Sequence, residues 1–230
     1  MTRKPATHEN RRCDGADRGA DLIPMTDLPE RWPLAGLADV RDALLAAYAD
    51  PSRGYHDSVH LTEVLDRLDE LRAAGPSFDA TKAALAAWFH DAVYDGERDA
   101  EERSAAWAEE ALAGTSYAAE VARLVRLTET HDPGADDVAG QVLCDADLAI
   151  LAAPRERYDA YVAGVRRDYA HLGDDDFDNG RAAVLRDLAG REQLFHTAYG
   201  REHWEPDARA NLDREIAALE ARPGGEVSSR

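Results

Sequence analysis

Two histidines stand four residues apart in the stretch GYHDSVHLTEVLDRL. On a helix, His56 and His60 share one face, because side chains four positions apart lie one turn from each other. Two neighbouring imidazoles suit either a metal site or a site of proton transfer. They are also compatible with two surface residues that have no chemical role, so the pair alone does not decide between these interpretations.

A second group with suitable chemistry is the adjacent pair His90 and Asp91, which follows an apolar run in the segment AALAAWFHDAVYD. Burying a charged aspartate costs free energy unless a partner compensates its charge. A divalent cation is the most effective partner for such a pair. A hydrogen-bonded helix end is the structural alternative.

Two aspartates in the segment QVLCDADLAIL form a third group. Asp145 and Asp147 are two positions apart, so on a helix they point in nearly opposite directions. Asp147 shares a face with Leu143 and Leu151, which predicts that it lies on the buried stripe. Asp145 falls nearer to a weaker stripe of alanines. For each aspartate the alternative is a solvent-facing side chain in a different register.

The composition favours helices as the elements that position these groups, because Ala and Leu dominate the 44% of residues that are apolar. The helix predicted between Asp79 and Gly96 is apolar on every side of its middle turns, so we expect it to be the most buried helix and to carry His90 and Asp91. Together with this one, the predicted helices span 34–50, 56–74, 79–96, 99–113, 116–130, 137–152, 154–171, 178–190 and 206–221.

The predicted domain organisation is simple. Residues 1–24 are charged and lack periodicity, which predicts a disordered extension. Residues 25–221 are long enough for one domain with a substantial core, and we expect a single all-α helical bundle there. Residues 222–230 are predicted to form a flexible tail.

The charge and the cysteines limit the classes of partner and compartment. The chain has 46 acidic and 27 basic residues among 230, a formal net charge of −19. A field of this sign repels nucleic acid and anionic membranes, so we expect neither as a partner. Cys13 and Cys144 form no spacing pattern, and no apolar run reaches the length of a membrane span, which favours a cytoplasmic protein.

The order of the chemical groups resembles a known family. His60, then the pair His90–Asp91, then Asp147, each on a separate predicted helix, is similar to the HD-domain superfamily of metal-dependent phosphohydrolases, which is named for the adjacent His-Asp pair. The segment YHDSVH also resembles the cyclic-nucleotide phosphodiesterase branch, in which asparagine usually stands at the position of Asp57.

The resemblance extends over nearly the whole chain. The segments AAWFHDAVYD, EERSA, CDADLAIL, YDAYVAGVRRDY, GRAAVLRDL and ARANLDREIAAL are similar to a bacterial group of stand-alone predicted HD phosphohydrolases. The resemblance implies an HD-type helical bundle that hydrolyses a phosphoester of a small metabolite or nucleotide with a metal-activated water. It implies a small phosphorylated substrate as the partner, and we expect a monomer or homodimer.

The resemblance also implies a role for each motif residue. His60, His90, Asp91 and Asp147 match the metal ligands, and His56 matches the residue that protonates the leaving oxygen. Mixed imidazole and carboxylate ligation favours one divalent transition metal, which is Mn, Fe, Co, Ni or Zn.

Further residues are candidates for supporting roles. Arg53, Arg103, Arg181 and His131 are expected to contact substrate, since each stands in or beside a motif segment or at a predicted helix end. Asp145 and Glu102 are expected to support the metal ligands from outside the coordination sphere.

Two other functions are compatible with the same pattern. One is a non-catalytic HD-type module that binds a nucleotide or a partner, and the presence of all four ligands together with His56 argues against it. The other is a di-iron oxygenase of the same fold, which generally requires more histidines between the His-Asp pair and the last aspartate. This chain has only His131 between Asp91 and Asp147, which favours a single metal.

Overall fold

The fold is given by a computed structural model, which describes residues 25–75 and 77–222. Within these ranges the chain forms helices and no strand, which confirms the predicted all-α class. The predicted disordered extension, residues 1–24, and residues 223–230 of the predicted tail lie outside the described residues. None of the described helices is long and apolar enough to cross a membrane.

The described chain contains α-helices joined by short turns and two 3-10 helices, Met25–Arg31 and Ala149–Ala152. The α-helices are α1 (Ala38–Tyr48), α2 (Ser58–Ala74), α3 (Ala80–Phe89), α4 (Ala100–Ala111), α5 (Ala118–Leu127), α6 (Val138–Leu148), α7 (Arg155–Asp168), α8 (Asp174–Gly190), α9 (Ala198–His203) and α10 (Glu205–Glu220).

Helix α3 lies at the centre of the bundle, where it packs against α2, α4, α5 and α6. All its side chains from Leu85 to Phe89 are completely buried, as the apolar sequence predicts. Trp88 also packs edge-to-face on Trp32, with ring centroids 5.3 Å apart. Burial of each such large side chain contributes about 1.5–3 kcal/mol to the stability of the fold. The bundle is therefore built around the helix that leads directly into the His90–Asp91 pair.

Two aspartates define the starts of the site-bearing helices α2 and α3. The carboxylate of Asp57 accepts hydrogen bonds from the main-chain N–H groups of Val59 at 2.8 Å and His60 at 3.3 Å. Asp79 caps α3 in the same way, as its sequence position predicts. A carboxylate at a helix N-terminus satisfies free N–H groups and interacts favourably with the helix dipole. At the position where the resembling family has asparagine, Asp57 thus fixes the first turn of the helix that carries His60.

The structure corrects three helix predictions. Helix α3 ends at Phe89 instead of continuing to Gly96, so the His90–Asp91 pair follows the helix. The guanidinium of Arg53 donates to the carbonyl oxygens of Asp91 at 2.7 Å and Ala92 at 3.0 Å, and it thereby satisfies main-chain acceptors beyond the helix end. In addition, α8 begins at residue 174, before the predicted 178, and the short helix α9 was not predicted.

Two glycines allow the loop before α2 to touch α7. A Cβ atom on Gly54 would lie 2.1 Å from the carbonyl oxygen of Gly164, and a Cβ atom on Gly164 would lie 2.9 Å from the carbonyl oxygen of Gly54. Only glycine permits so close an approach of two main chains. This contact brings His56 beside Asp168, at the end of α7.

Candidate metal centre

Three side chains, from α2, from the turn after α3 and from α6, converge on one point inside the bundle. The Nε2 atoms of His60 and His90 are 3.0 Å apart, and the Oδ1 atom of Asp147 lies 3.2 Å from the first and 3.5 Å from the second. These atoms form a group that could hold a metal ion. The Oδ2 atom of Asp91 lies 3.2 Å from His60 Nε2 and 3.0 Å from His90 Nε2. All four predicted ligands are therefore brought together.

The main chain fixes the imidazole of His90. Its Nδ1–H donates to the carbonyl oxygen of Ala87 at 2.8 Å, which leaves Nε2 facing His60 and Asp91. Metal-binding histidines commonly use the other ring nitrogen in this way, because the hydrogen bond sets both the tautomer and the ring orientation. The imidazole of His90 is thus prepared for a cation before any cation binds.

The charges of the cluster favour a cation. Burial lowers the pKa of His60, but hydrogen bonds to Asp147 and Asp91 outweigh this effect and raise the pKa to about 9. Burial raises the pKa of Asp147, but the positive charge of His90 and a hydrogen bond from His131 hold it well below its usual range. The carboxylates stay ionised and attract positive charge. A divalent cation that binds here competes with protons on the imidazoles and releases them.

His131 forms a hydrogen bond with Asp147, one of the predicted metal ligands. Its Nε2–H donates to Oδ2 of Asp147 at 2.9 Å, while the other carboxylate oxygen of Asp147 faces His60 and His90. The backbone of His131 has a φ of 51°, a left-handed conformation that costs a non-glycine residue free energy. The predicted contact of His131 with substrate stays a prediction, and the structure shows that His131 orients Asp147.

His56, the predicted general acid, lies beside the cluster. Its ring centroid is 5.7 Å from that of His60, and the ring is stacked on Tyr94 at 3.9 Å. Nδ1–H of His56 donates to Oδ2 of Asp168 at 3.0 Å. The side chain of His56 keeps 21% of its surface exposed, so it remains accessible to a ligand. The stacking and the hydrogen bond together set the orientation of the imidazole.

Asp168 was not identified from the sequence. Its carboxylate also accepts the main-chain N–H groups of Gly54 and of Tyr55, the latter at 3.1 Å. Burial raises the pKa of Asp168, but the hydrogen bonds from His56 and Gly54 lower it below its usual value. Asp168 therefore stays ionised beside His56. It is 112 positions away in the sequence, and no local pattern marks it.

Arg53, predicted to contact substrate, makes three hydrogen bonds within the protein. Its guanidinium donates to three main-chain carbonyls, those of His56 at 2.8 Å, Asp91 at 2.7 Å and Ala92 at 3.0 Å. These hydrogen bonds join the loop before α2 to the loop after α3, and the predicted substrate contact of Arg53 stays a prediction. Arg53 thus helps to position the main chain of His56 and Asp91.

The other two predicted arginines are also engaged by the protein. Arg103 donates to Asp95 at 2.6 Å at the surface. Arg181 is buried, with 8% of its side chain exposed, and donates to Glu215 at 2.8 Å and to the hydroxyl of Tyr161 at 2.9 Å. Both guanidinium groups are therefore paired with carboxylates of this chain, and their predicted contacts with substrate stay predictions.

Asp145 and Glu102 were predicted to support the metal ligands. Both form their hydrogen bonds with other residues, away from the predicted ligands. Asp145 is completely buried and accepts the main-chain N–H groups of His196 at 2.7 Å and Thr197 at 2.8 Å, so it holds the segment before α9. Glu102 binds Arg126 at 2.6 Å on the surface. The sequence pattern predicts that Asp145 lies near a weakly apolar stripe of alanines. In the structure Asp145 is more buried than Asp147, because main-chain N–H groups from a distant segment compensate its charge.

The donor set is chemically suited to a borderline transition-metal ion, since it combines two imidazole nitrogens with carboxylate oxygens. His60 comes from α2, His90 and Asp91 from the end of α3, and Asp147 from α6, so the cluster joins the three helices at the core. Comparisons of the chain with protein-family models, with curated proteins and with solved structures found no match.

Proposed function

We propose that this protein is a metal-dependent phosphohydrolase of the HD type, which hydrolyses a phosphoester of a small metabolite or nucleotide. The observation that carries the proposal is the convergence of His60, His90, Asp91 and Asp147 with atoms 3.0–3.5 Å apart. The same four residues carry the sequence resemblance to HD phosphohydrolases.

The metal would be a divalent transition ion, and we expect one of Mn, Fe, Co, Ni or Zn held by these four side chains. When bound, such an ion supplies Lewis-acid chemistry, since it lowers the pKa of a coordinated water and polarises a phosphoryl oxygen. Its positive charge would also offset the acidic field of the chain at the place where an anionic substrate binds.

A side chain of the protein would protonate the leaving group. His56, fixed by Asp168 and stacked on Tyr94, is placed beside the cluster with its Nδ1 occupied. We propose that Nε2 of His56 donates a proton to the leaving oxygen, and that the ionised carboxylate of Asp168 stabilises the imidazolium before the transfer. His131 would hold Asp147 in the orientation that the ligand set requires.

The proposal is tested by metal analysis and a substrate screen on the purified full chain. We expect about one transition metal per chain, and hydrolysis of at least one phosphoester in a screen of nucleotides and sugar phosphates. The variant His90→Ala should lose both properties. His203→Ala, at an exposed histidine on α9, serves as the matched control and should lose neither. A metal-loaded protein that hydrolyses no phosphoester in the screen would favour the non-catalytic binding module.

A further inference from the structure

The hydroxyl of Tyr48 lies at the end of helix α3, beside the His90–Asp91 pair. Tyr48 is the last residue of α1, a helix that supplies none of the predicted ligands, and only 1% of the residue is exposed. The main-chain N–H of Asp91 donates to this hydroxyl at 3.3 Å. The hydroxyl in turn donates to the carbonyl oxygen of Ala87 at 3.4 Å. Tyr48 therefore connects two main-chain groups on either side of His90.

These two contacts occupy the place of one helical hydrogen bond. In a continuous α-helix the N–H of residue 91 would donate to the carbonyl of residue 87, four positions earlier. The preceding residue keeps this pattern, because the N–H of His90 donates to the carbonyl of Ala86 at 2.9 Å. At Asp91 the hydroxyl of Tyr48 stands between the donor and the acceptor. A side chain that inserts between such groups interrupts the ladder of helical hydrogen bonds.

The carbonyl of Ala87 also fixes the imidazole of His90. It accepts Nδ1–H of His90 at 2.8 Å, and its two lone pairs allow it to accept from Tyr48 as well. Removal of the hydroxyl would leave the N–H of Asp91 without this acceptor, and its nearest helical acceptor is the carbonyl of Ala87. Extension of α3 by this bond would move the main chain of Asp91 and crowd the hydrogen bond of His90.

Arg53 holds the same turn from its other side. Its guanidinium donates to the carbonyl oxygen of Asp91 at 2.7 Å, and it lies 5.1 Å from the ring centroid of Tyr48. The N–H and the C=O of Asp91 are thus bound by two neighbouring side chains. The Oδ2 atom of Asp91 lies 3.2 Å from Nε2 of His60 and 3.0 Å from Nε2 of His90, so a shift of its main chain would change both distances.

We infer that Tyr48 is a positioning residue of the metal centre, whose hydroxyl sets the orientation of His90 and Asp91. It does so by keeping the N–H of Asp91 apart from the carbonyl of Ala87. The inference rests on the metal centre of the proposed function, and it gives α1 a part in that centre. Tyr48 acts through two of the predicted ligands and not on the substrate. Removal of a group that supports metal ligands in this way commonly weakens metal affinity about 10- to 100-fold.

The test compares Tyr48→Phe with the wild type in the full chain, and its probe is Co²⁺. The variant removes only the hydroxyl and keeps the buried ring. We expect the dissociation constant for Co²⁺, measured by competition with a chelating dye, to rise about tenfold or more. The d–d absorption bands of bound Co²⁺ should also change, because they depend on the geometry of the ligands. A general loss of stability would not by itself change these bands.

Tyr158→Phe is the matched control. Tyr158 is 1% exposed, and its hydroxyl donates to Glu215 at 2.6 Å, away from the predicted ligands. Urea denaturation of the metal-free variants measures the stability that each one loses. The control should bind Co²⁺ with the affinity and the absorption spectrum of the wild type.

The possible outcomes separate this inference from the proposed function. Wild-type Co²⁺ affinity and spectrum in Tyr48→Phe would overturn the role of Tyr48 and leave the proposed function intact. An equal change in Tyr158→Phe would also overturn it, because loss of stability would then be the cause. A wild-type chain that binds none of the proposed metals would overturn the metal centre and this inference together.

Nuclear magnetic resonance of the wild type adds a measurement that does not depend on the folding of a variant. The hydroxyl proton of Tyr48 should exchange slowly with water and show a nuclear Overhauser effect to Nδ1–H of His90, since both protons point at the carbonyl oxygen of Ala87. A rapidly exchanging hydroxyl proton would contradict its placement between the two main-chain groups.

Discussion

The imidazole of His56 is fixed by the carboxylate of Asp168, whose Oδ2 atom lies 3.0 Å from Nδ1 of His56. The same carboxylate accepts the main-chain N–H groups of Gly54 and Tyr55. One side chain at the end of α7 therefore fixes both the loop before α2 and the histidine on that loop. A histidine oriented by a carboxylate is a recurrent arrangement in acid and base catalysis, because the negative charge stabilises the imidazolium.

The first prediction concerns this pair. Asp168→Asn keeps the size of the side chain but removes its charge, so turnover should fall about 10- to 100-fold through loss of a charge-assisted hydrogen bond. Metal content should be unchanged. In the His56→Ala background the same substitution should lower turnover only slightly, because the two residues act as a unit. Steady-state kinetics of the double-mutant cycle measures this effect. If Asp168→Asn lowers turnover as much in the His56→Ala background as in the wild type, Asp168 acts independently of His56.

A second prediction concerns the proton donor. His56→Ala should retain the metal and lose about a hundred- to ten-thousandfold in turnover on substrates with a poor leaving group. An ester of an acidic phenol should lose much less, because its leaving group departs without a proton. The comparison is made with an alkyl phosphate and a 4-nitrophenyl phosphate. Equal losses on both substrates would remove the general-acid role from His56.

Local sequence signals predicted much of the fold. Asp79 was correctly identified as the cap of α3, and the apolar run before His90 correctly indicated the most buried helix. These features depend on neighbouring residues, and their physical basis lies within a few positions of the chain. The order of His60, His90, Asp91 and Asp147, through its resemblance to the HD superfamily, likewise led to the prediction of a common site.

Contacts between distant segments could not be predicted in the same way. The end of α3 depends on Arg53, which lies 38 positions before the carbonyl of Asp91 that it binds. The burial of Asp145 depends on main-chain donors 51 and 52 positions later. Asp168 is still farther from His56. In each case a charged side chain is stabilised by a partner that only the folded chain supplies, so helical periodicity gives no sign of it.

The third prediction concerns the metal and stability. His90→Ala should abolish binding of the transition metal, since it removes one of the two imidazoles. For the wild type, free metal at a hundredfold excess over its dissociation constant should add about 2.7 kcal/mol to the free energy of unfolding. The melting temperature of the variant should not respond to added metal. Elemental analysis and thermal unfolding measure both effects, and full metal occupancy in His90→Ala would contradict the ligand assignment.

The fourth prediction distinguishes the structural role of Asp145 from the metal-binding role proposed for Asp147. Asp145→Ala leaves the buried N–H groups of His196 and Thr197 without their acceptor, which should lower the free energy of unfolding by about 2–4 kcal/mol. Its metal content should remain that of the wild type, whereas Asp147→Ala should lose metal. Urea denaturation gives the stability, with Asp136→Ala at an exposed position as the control. Loss of metal from a folded Asp145→Ala would place Asp145 in the metal site after all.

The fifth prediction distinguishes hydrolysis from oxygen chemistry by counting ligands. His131 is the single histidine between Asp91 and Asp147, and its Nε2 atom is bonded to Asp147. A second iron would need His131 as a ligand and would still have too few imidazoles around it. One ion would be served by His60, His90, Asp91 and Asp147, and one ion suffices for Lewis-acid hydrolysis.

We therefore expect about one tightly bound metal per chain and no oxygen consumption with any substrate that the protein hydrolyses. His131→Gln should keep this single metal, because it removes only a hydrogen-bond partner of Asp147, and should weaken metal affinity about 10- to 100-fold. Elemental analysis, an oxygen electrode and electron paramagnetic resonance provide the measurements. Two irons per chain with a mixed-valent paramagnetic signal, lost in His131→Gln, would instead establish a di-iron centre in which His131 is a ligand.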